Sequence, residues 1–172
     1  MRLFAIAAFA GLAIALAAPA SAAPVSVAPV TIDAALQKKF DDDYGAREIA
    51  VLQRMVTASI SRELTQSGAT VGAGAPVTVE TTLVNVKPSK PTFQQAVDRP
   101  GLDIFRSISL GGAELRARIV GADGATLGEV TYKWYEYDLY NSFALTTWSD
   151  AQRAISLFAG RVADAYVAHA PS

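Results

Sequence analysis

Three carboxylates are the residues of this 172-residue chain whose types and spacing best suit acid–base chemistry. Glu136 lies two positions before Asp138, and a pair of Glu136 with Asp138 or with Asp103 could serve a glycosidase, which needs two carboxyl groups flanking one bond. Nothing in the sequence fixes the distance between these groups or raises the pKa of one of them. A carboxylate-based hydrolase is therefore an alternative interpretation of the chain.

Nucleophilic and metal-dependent chemistry lack their usual residues. The chain has one histidine, His169, no cysteine and no Gly-x-Ser-x-Gly sequence, so neither a Ser–His–acid triad nor a zinc site has its normal components. The run Asp41-Asp42-Asp43 is too closely spaced for a calcium loop, whose oxygen ligands alternate around a glycine turn. We expect instead that Asp43 caps the next helix, and we expect no metal and no cofactor.

Two segments carry side chains that could bind a partner. Residues 87–101 contain three prolines, which are expected to keep this segment out of helix, and a long irregular connection in a compact domain is often functional. Residues 132–140 contain five aromatic side chains, a composition that suits a strand or core as well as a binding surface. The predicted partner-binding residues are Phe93, Gln94, Arg99, Tyr135, Tyr137 and Tyr140.

The element that must position the aromatic segment is a β-hairpin over residues 111–140. Apolar and charged residues alternate from Ala113 to Ile119, as in a strand with one buried face. Residues 121–124 (Gly-Ala-Asp-Gly) then supply turn chemistry. The pattern places Val130, Tyr132 and Trp134 on the buried face and Thr131, Lys133 and Tyr135 on the opposite face.

Two amphipathic helices are predicted around this hairpin. The first, over about residues 44–66, has one apolar stripe at three- and four-residue steps, and Gly68 is placed to end it. The second begins near Thr147 or Ser149 with Asp150 in its first turn, and it leaves His169 in a tail.

Shorter elements complete the expected topology. Residues 24–32 are predicted to form an edge strand or an ordered arm, and Asp33 is predicted to cap a short helix. Strands are expected over residues 77–87, with a bulge near Leu83, and over residues 102–110. The predicted fold is a single α+β domain of two layers: a mostly antiparallel sheet of three to five strands with two main helices packed on one face.

The N-terminus has the three parts of a secretory signal peptide: a positive start at Arg2, an apolar run and an Ala-x-Ala site. Cleavage is predicted after Ala22, which divides the chain into a signal peptide (1–22), an extended arm with a short helix (23–43), an α+β domain (44–168) and a tail (169–172). Because a bacterial lipoprotein carries its acyl chains on a cysteine and this chain has none, the sequence predicts an exported periplasmic protein that is not a lipoprotein.

Charge and hydropathy limit the possible partners. The formal charge of the whole chain is −1, and loss of residues 1–22 removes one arginine and no acid. This balance argues against nucleic-acid binding and against adsorption to anionic lipid, since both need a basic excess. No apolar stretch after the signal peptide is long enough to cross a bilayer.

Three segments of the chain have a familiar sequence: residues 88–102 (PSKPTFQQAVDRPGL), 130–138 (VTYKWYEYD) and 147–163 (TWSDAQRAISLFAGRVA). Together they resemble small exported proteins of Gram-negative bacteria that are known only as a domain of unknown function, and the likeness covers about residues 44–168. The resemblance implies periplasmic residence and assigns no catalytic residue. The order helix, strands, helix also looks like the small α+β accessory domains of envelope transport and assembly systems, a likeness of fold alone.

The predicted function is that of a non-catalytic envelope protein that binds a protein partner or assists assembly. Binding of sugars or cell-wall fragments through the aromatic surface is one alternative, and the carboxylate-based hydrolase is the other. The sequence leaves open the identity of the partner, the oligomeric state and the biological process.

Overall fold

A computed structural model describes residues 23–141 and 146–169 of the chain. The predicted signal peptide over residues 1–22 and positions 170–172 of the predicted tail lie outside the described residues. The described part forms one mixed sheet of five strands with four α-helices, which confirms the predicted α+β fold. The division into arm, domain and tail stays a prediction.

Five strands, four α-helices and two shorter helical turns make up the secondary structure of the described part of the chain. The strands are β1 (Val25–Val27), β2 (Thr31–Ile32), β3 (Val77–Lys87), β4 (Gly112–Val120) and β5 (Thr126–Tyr135). The α-helices are α1 (Ala34–Lys39), α2 (Arg47–Gln66), α3 (Phe93–Asp98) and α4 (Ser149–His169). A π-helical turn (Phe40–Tyr44) follows α1, and a 3-10 turn (Leu139–Asn141) follows β5.

The sheet has the strand order β1-β3-β4-β5, and β2 also pairs with β3. The two short N-terminal strands run parallel to β3, whereas β3, β4 and β5 are antiparallel neighbours. The register of β3 against β4 shifts between Leu83 and Asn85, so the predicted bulge is confirmed. One edge of the sheet is therefore made of two short strands and the other of the ten-residue strand β5.

The predicted hairpin is confirmed as β4 and β5. Its turn closes as the sequence indicated: the Ala125 amide donates to Asp123 Oδ1 at 3.0 Å, and Gly124 has φ +80°, a conformation that favours glycine. In the resulting register Leu115 lies opposite Tyr132 and Ala113 opposite Trp134.

Helices α2 and α4 pack against each other, and the core lies between this helical layer and one face of the sheet. The largest fully buried side chains include Leu52 and Ile60 of α2, Phe158 of α4 and Leu115 of β4. Burial of each such side chain contributes about 2 kcal/mol. The other face of the sheet carries charged and hydroxyl side chains, as is common for an antiparallel sheet with one solvated side.

The aromatic residues near the end of β5 are divided between core and surface. Tyr132 and Trp134 are half-buried, and the guanidinium groups of Arg161 and Arg153 lie 4.5 and 4.9 Å from their ring centres. Trp148 is buried, and its indole N–H donates to Glu48 Oε2 at 2.7 Å. These rings belong to the structural framework.

The start of α2 corrects one prediction. The helix begins at Arg47, not near residue 44, and Asp43 does not cap it. Residues 40–44 form a π-helical turn in which Phe40 and Tyr44 are both buried, and their rings meet edge to face at 5.7 Å. The turn ends at Gly45, whose φ of +93° breaks the helical path.

Three further predictions about local structure are wrong. Residues 93–98 form the helix α3 although three prolines were expected to keep this segment out of helix. Residues 102–110 form turns and irregular backbone, not a strand. His169 is the last residue of α4 and not part of a tail, and its Nδ1 lies 2.8 Å from the Ala165 carbonyl.

Candidate functional site

An exposed apolar surface lies on α3 and the turn that follows it. We call it the apolar shelf and define it by Phe93, Val97, Ile104 and Phe105. The exposed fractions of Phe93, Val97 and Phe105 are 65%, 61% and 77%. These four side chains line one concave surface together with Ala96, Leu102 and Asp103. Contiguous exposed apolar side chains of this kind are typical of interaction surfaces.

The first half of the shelf rests on a well-capped helix. Thr92 Oγ1 accepts a hydrogen bond from the Gln95 amide at 3.2 Å, and Gln95 Oε1 accepts one from the Thr92 amide at 3.1 Å. This reciprocal capping box satisfies two backbone donors that the start of a helix leaves free. It explains why residues 93–98 form a helix between Pro91 and Pro100, and it fixes the direction of Phe93.

The second half of the shelf is fixed by a carboxylate. Asp103 Oδ1 accepts hydrogen bonds from the backbone amides of Phe105 and Arg106 at 2.7 and 3.1 Å. On the other side, Lys90 Nζ donates to the Phe105 carbonyl at 2.8 Å. The backbone on both sides of the exposed Phe105 ring is thus held by polar contacts, so the ring is presented to solvent on a defined frame.

Beneath the shelf, a buried carboxylate connects this segment to α4. Asp150 Oδ2 accepts hydrogen bonds from Ser89 Oγ at 2.7 Å and from the Gly111 amide at 2.9 Å, while the Asp150 amide donates to Ser89 Oγ at 3.1 Å. Asp150 is 6% exposed and Ser89 is fully buried. We call these three residues the Asp150 anchor. Both ends of the segment that carries the shelf are therefore attached to the first turn of α4.

Gln94 in α3 and Arg99 just after it, two further predicted binding residues, make polar contacts. Gln94 is exposed, and its Nε2 donates to Asp98 Oδ2 at 2.8 Å. It also packs close to Gly45, where an added Cβ would lie 3.0 Å from the Gln94 Cβ. Arg99 follows α3 and forms an ion pair with Asp43 at 2.6 Å. Gln95 Nε2 also donates to Asp43 at 2.9 Å. Asp43, which the sequence suggested as a helix cap, thus holds α3 to the turn before α2.

The predicted aromatic residues at the end of β5 and just beyond it differ in exposure. Tyr137 and Tyr140 are 85% and 84% exposed, whereas Tyr135 is half-buried against the backbone of Gly112. Burial raises the pKa of the Tyr135 phenol above its ordinary value, and the charge of Glu114 adds to the effect. Phe93, Tyr137 and Tyr140 are therefore the predicted residues with accessible rings.

The carboxylates that could serve a hydrolase have structural partners. Glu136 is buried, and its Oε1 accepts hydrogen bonds from the amides of Tyr137 and Asp138 at 3.0 and 3.1 Å. These bonds, with further help from Arg153 at 3.8 Å, lower the pKa of Glu136 below its ordinary value. A general acid needs a raised pKa, so Glu136 is in the wrong state for that role. Asp103 is used in the turn that holds Phe105.

A second concave surface lies on the open face of the sheet, next to the loop between β1 and β2. It has a volume of about 550 Å³ and contains Glu80, Arg116, Arg118 and Glu129. Arg118 lies 3.7 Å from Glu80 and 3.9 Å from Glu129, so both carboxylates are paired with one guanidinium. These charged groups form a surface ion-pair network across three strands.

Two features of the site were missed from the sequence. The Thr92-x-x-Gln95 pattern is a recognisable signal for a helix start, but the prediction for this segment rested on its prolines alone. The Asp150 anchor had no such signal, because its partners are 61 and 39 positions away in the chain. Only the position of Asp150 in the first turn of α4 could be expected.

Comparisons with known proteins give a likeness of fold. No family model and no curated protein sequence matches the chain. Among solved structures, PelC from Paraburkholderia phytofirmans, described as a dodecamer, has 9% sequence identity and a TM-score of 0.53, with 89% of this chain and 91% of that chain covered. At this identity the likeness concerns the fold alone.

Two other solved structures are less similar. Protein XCC0632 from Xanthomonas campestris, of the DUF330 family, has 13% identity and a TM-score of 0.46, with 85% of this chain and 86% of that chain covered. A minor lipoprotein from Acinetobacter baumannii has 12% identity and a TM-score of 0.42, with 86% and 95% covered. The resemblance to small proteins of Gram-negative bacteria with unknown function is confirmed by the kind of proteins found.

The comparison corrects the predicted localisation. We predicted a periplasmic protein that is not a lipoprotein, but solved structures found in the comparison from Neisseria meningitidis, Acinetobacter baumannii and Caulobacter crescentus are named as lipoproteins, so this prediction is not upheld. The periplasmic part of the prediction rested on the signal-peptide pattern of residues 1–22, and the part that excluded a lipoprotein rested on the absence of cysteine. Within residues 23–141 and 146–169, no helix combines the length and the apolar character needed to cross a membrane.

Proposed function

We infer that this chain is a non-catalytic protein of the cell envelope that works by binding a partner protein through the apolar shelf. The observation that carries this proposal is the exposure of Phe93, Val97 and Phe105 side by side on a hydrogen-bonded frame. Leaving such apolar side chains in water forgoes about 2 kcal/mol each relative to burial. A bound partner would recover that free energy.

The surroundings of the shelf match the anatomy of a protein interface. Charged side chains of both signs lie next to the shelf residues in the chain: Lys90, Asp98, Arg99, Asp103 and Arg106. An apolar centre inside a polar rim is the usual composition of a protein–protein contact. The partner is therefore expected to offer apolar side chains at the centre and polar groups of mixed charge at the edge.

The comparison with PelC supports a role in assembly. PelC is described as a dodecamer, so a fold of this kind can present surfaces for stable protein contacts. The Asp150 anchor supports the same role from within the chain, because it keeps the shelf segment preorganised and so lowers the entropic cost of binding.

The experiment is site-specific photo-crosslinking in the native organism. A photoreactive phenylalanine analogue replaces Phe105 in the full chain, and the matched control places the same group at Ala122, an exposed position in the hairpin turn. We expect an adduct with one envelope protein from position 105 and none from position 122, and we expect Phe93→Ala to reduce the adduct at least about fivefold. Identical adducts at both positions, or adducts with this chain alone, would contradict the proposal.

A second candidate function rests on Tyr137 and Tyr140, whose rings are almost fully exposed. Exposed tyrosines can stack on sugar rings, and cell-wall fragments are a possible ligand class in the envelope. Binding of soluble peptidoglycan fragments, measured by calorimetry, would favour this function if Tyr137→Ala removed it and Phe105→Ala did not.

A further inference from the structure

The two edges of the sheet are protected very differently. One edge consists of β1 and β2, which have three and two residues and are preceded or separated by Pro24 and Pro29. Short strands and prolines are devices that prevent an edge from pairing with another chain. The opposite edge is β5, which has ten residues and no proline, and within the described part of the chain no strand pairs with its outer side.

Charges on the open face of the sheet form rows that alternate in sign and stop at β5. One row runs from Glu80 on β3 to Arg118 on β4 and ends at Glu129 on β5, with separations of 3.7 and 3.9 Å. Another runs from Glu114 on β4 to Lys133 on β5, 3.5 Å apart. The free edge therefore ends in a negative charge and, four residues later, in a positive charge.

We propose that two copies of this chain associate through β5, whose free edges pair antiparallel with Thr131 opposite Thr131 of the second copy. In this register Glu129 lies opposite Lys133 of the second copy, and the reverse contact occurs across the two-fold axis. Both rows then continue with alternating sign into the neighbouring sheet. A shift of two residues in either direction places each of these charges opposite a neutral residue, so the charges select one register.

The helix-side face of β5 fits the same register. Val130 lies opposite Tyr132 of the second copy, and Gly128, which has no side chain, lies opposite the large Trp134. Because α4 packs on both β4 and β5, the two α4 helices would lie about two strand spacings apart, roughly 10 Å, which is a normal distance between packed helices. Leu157, 48% exposed and four residues from both Arg153 and Arg161, is available for this contact.

The chain contains no cysteine, which makes disulfide trapping a direct test of the register. In protein purified after expression of the full chain, Thr131→Cys places two sulfhydryl groups on residues directly opposite, with Cα atoms about 5 Å apart and within disulfide range. The matched control, Thr126→Cys, lies at the start of β5 outside both ion pairs and places them about 34 Å apart along the strands. We expect Thr131→Cys to form a disulfide dimer at least about tenfold faster than Thr126→Cys. Equal rates would overturn the proposal.

Charge reversal tests the same interface without cysteine. Sedimentation velocity on the wild-type protein should show a monomer–dimer equilibrium, and Glu129→Lys should raise its dissociation constant at least about tenfold because two like-charge pairs replace two ion pairs. The double variant Glu129→Lys with Lys133→Glu restores opposite signs across the interface and should lower the dissociation constant below that of the single variant. A wild-type protein that remains monomeric, or a double variant no better than the single one, would overturn the proposal. Phe105→Ala, which removes a ring of the apolar shelf, should leave this equilibrium unchanged.

Discussion

The inner side of residues 88–111 and the outer side of the same segment are built from opposite kinds of interaction. Inside, Ser89 Oγ and the Gly111 amide donate to Oδ2 of the buried Asp150 carboxylate, and the Asp150 amide donates to Ser89 Oγ. Outside, Phe93 and Phe105 expose apolar rings to solvent. In an ordinary surface segment the placement is the reverse, with polar groups outside and apolar groups inside.

The difference indicates which side maintains the fold and which is available for function. A buried carboxylate is tolerated only where donors satisfy it, so changes on the inner side should cost folding free energy. Changes to exposed rings should cost almost none and should alter binding instead. The following predictions test this division from the largest expected change in stability to the smallest.

Gly111→Ala should be the most destabilising of these changes. A Cβ at position 111 would lie 2.5 Å from Ser89 Oγ and 2.9 Å from the Lys87 carbonyl, so the Asp150 anchor would have to open. We expect a loss of about 3 kcal/mol in the free energy of unfolding, measured in urea. Gly160→Ala is the control: it has open space around the new methyl group and should be neutral or stabilising. Similar midpoints for the two variants would contradict the prediction.

Asp150→Ala should rank second. It leaves Ser89 Oγ and the Gly111 amide buried without their acceptor, which costs about 2 kcal/mol in the free energy of unfolding. Asp150→Asn keeps one acceptor oxygen and should cost less. Asp164→Ala on the exposed side of α4 is the matched control and should be near neutral. If Asp150→Ala were as mild as the control, the anchor would have no structural importance.

Glu136 should make stability depend on pH. Because the amides of Asp138 and Tyr137 lower its pKa in the folded protein below the ordinary 4.5, its contribution is complete above pH 4.5 and is lost as the pH falls through the lowered value. Glu136→Gln should therefore be less stable than wild type at pH 7, and the gap should narrow on acidification. Urea titrations at several pH values between 7 and 3 measure the gap; one that stays constant would show that the carboxylate charge is unimportant.

Phe105→Ala should have the smallest effect on stability, within about 0.5 kcal/mol in the free energy of unfolding, because its ring makes few contacts with the core. The same substitution should abolish partner binding at the shelf. Phe158→Ala, which removes a fully buried ring, is the contrasting control and should cost about 4 kcal/mol. A Phe105→Ala variant that unfolds easily would mean that the shelf is part of the core.

Sequence-based prediction succeeded mainly for structures that depend on residues close together in the chain. The β4–β5 hairpin, the stripe of α2 and the bulge near Leu83 were predicted because alternation, helical spacing and turn residues are visible within a few positions. The helix α3 was missed although its signal was equally local, because the prediction rested on the prolines and did not use the pattern of Thr92 and Gln95. A proline just before the capping residue does not prevent a helix from starting.

The candidate site was predictable in part. Phe93, Tyr137 and Tyr140 were named from composition and are exposed, but Ile104 and Phe105 were assigned to a strand. The choice between a strand and a turn depended on Asp103, whose side chain bonds two amides of its own turn. The sequence showed an aspartate before apolar residues and could not show which donors it would meet.

By itself the sequence determined the α+β class, the hairpin, and the apolar stripe of α2, because these depend on the order of apolar and polar residues along short stretches. Tertiary structure alone decided that Asp150 would join residues 89 and 111, that Asp43 would pair with Arg99, and that Tyr135 would lie against Gly112. Such contacts join residues far apart in the chain, and they form only where packing of the core brings a donor, an acceptor or a bare backbone within a few ångströms.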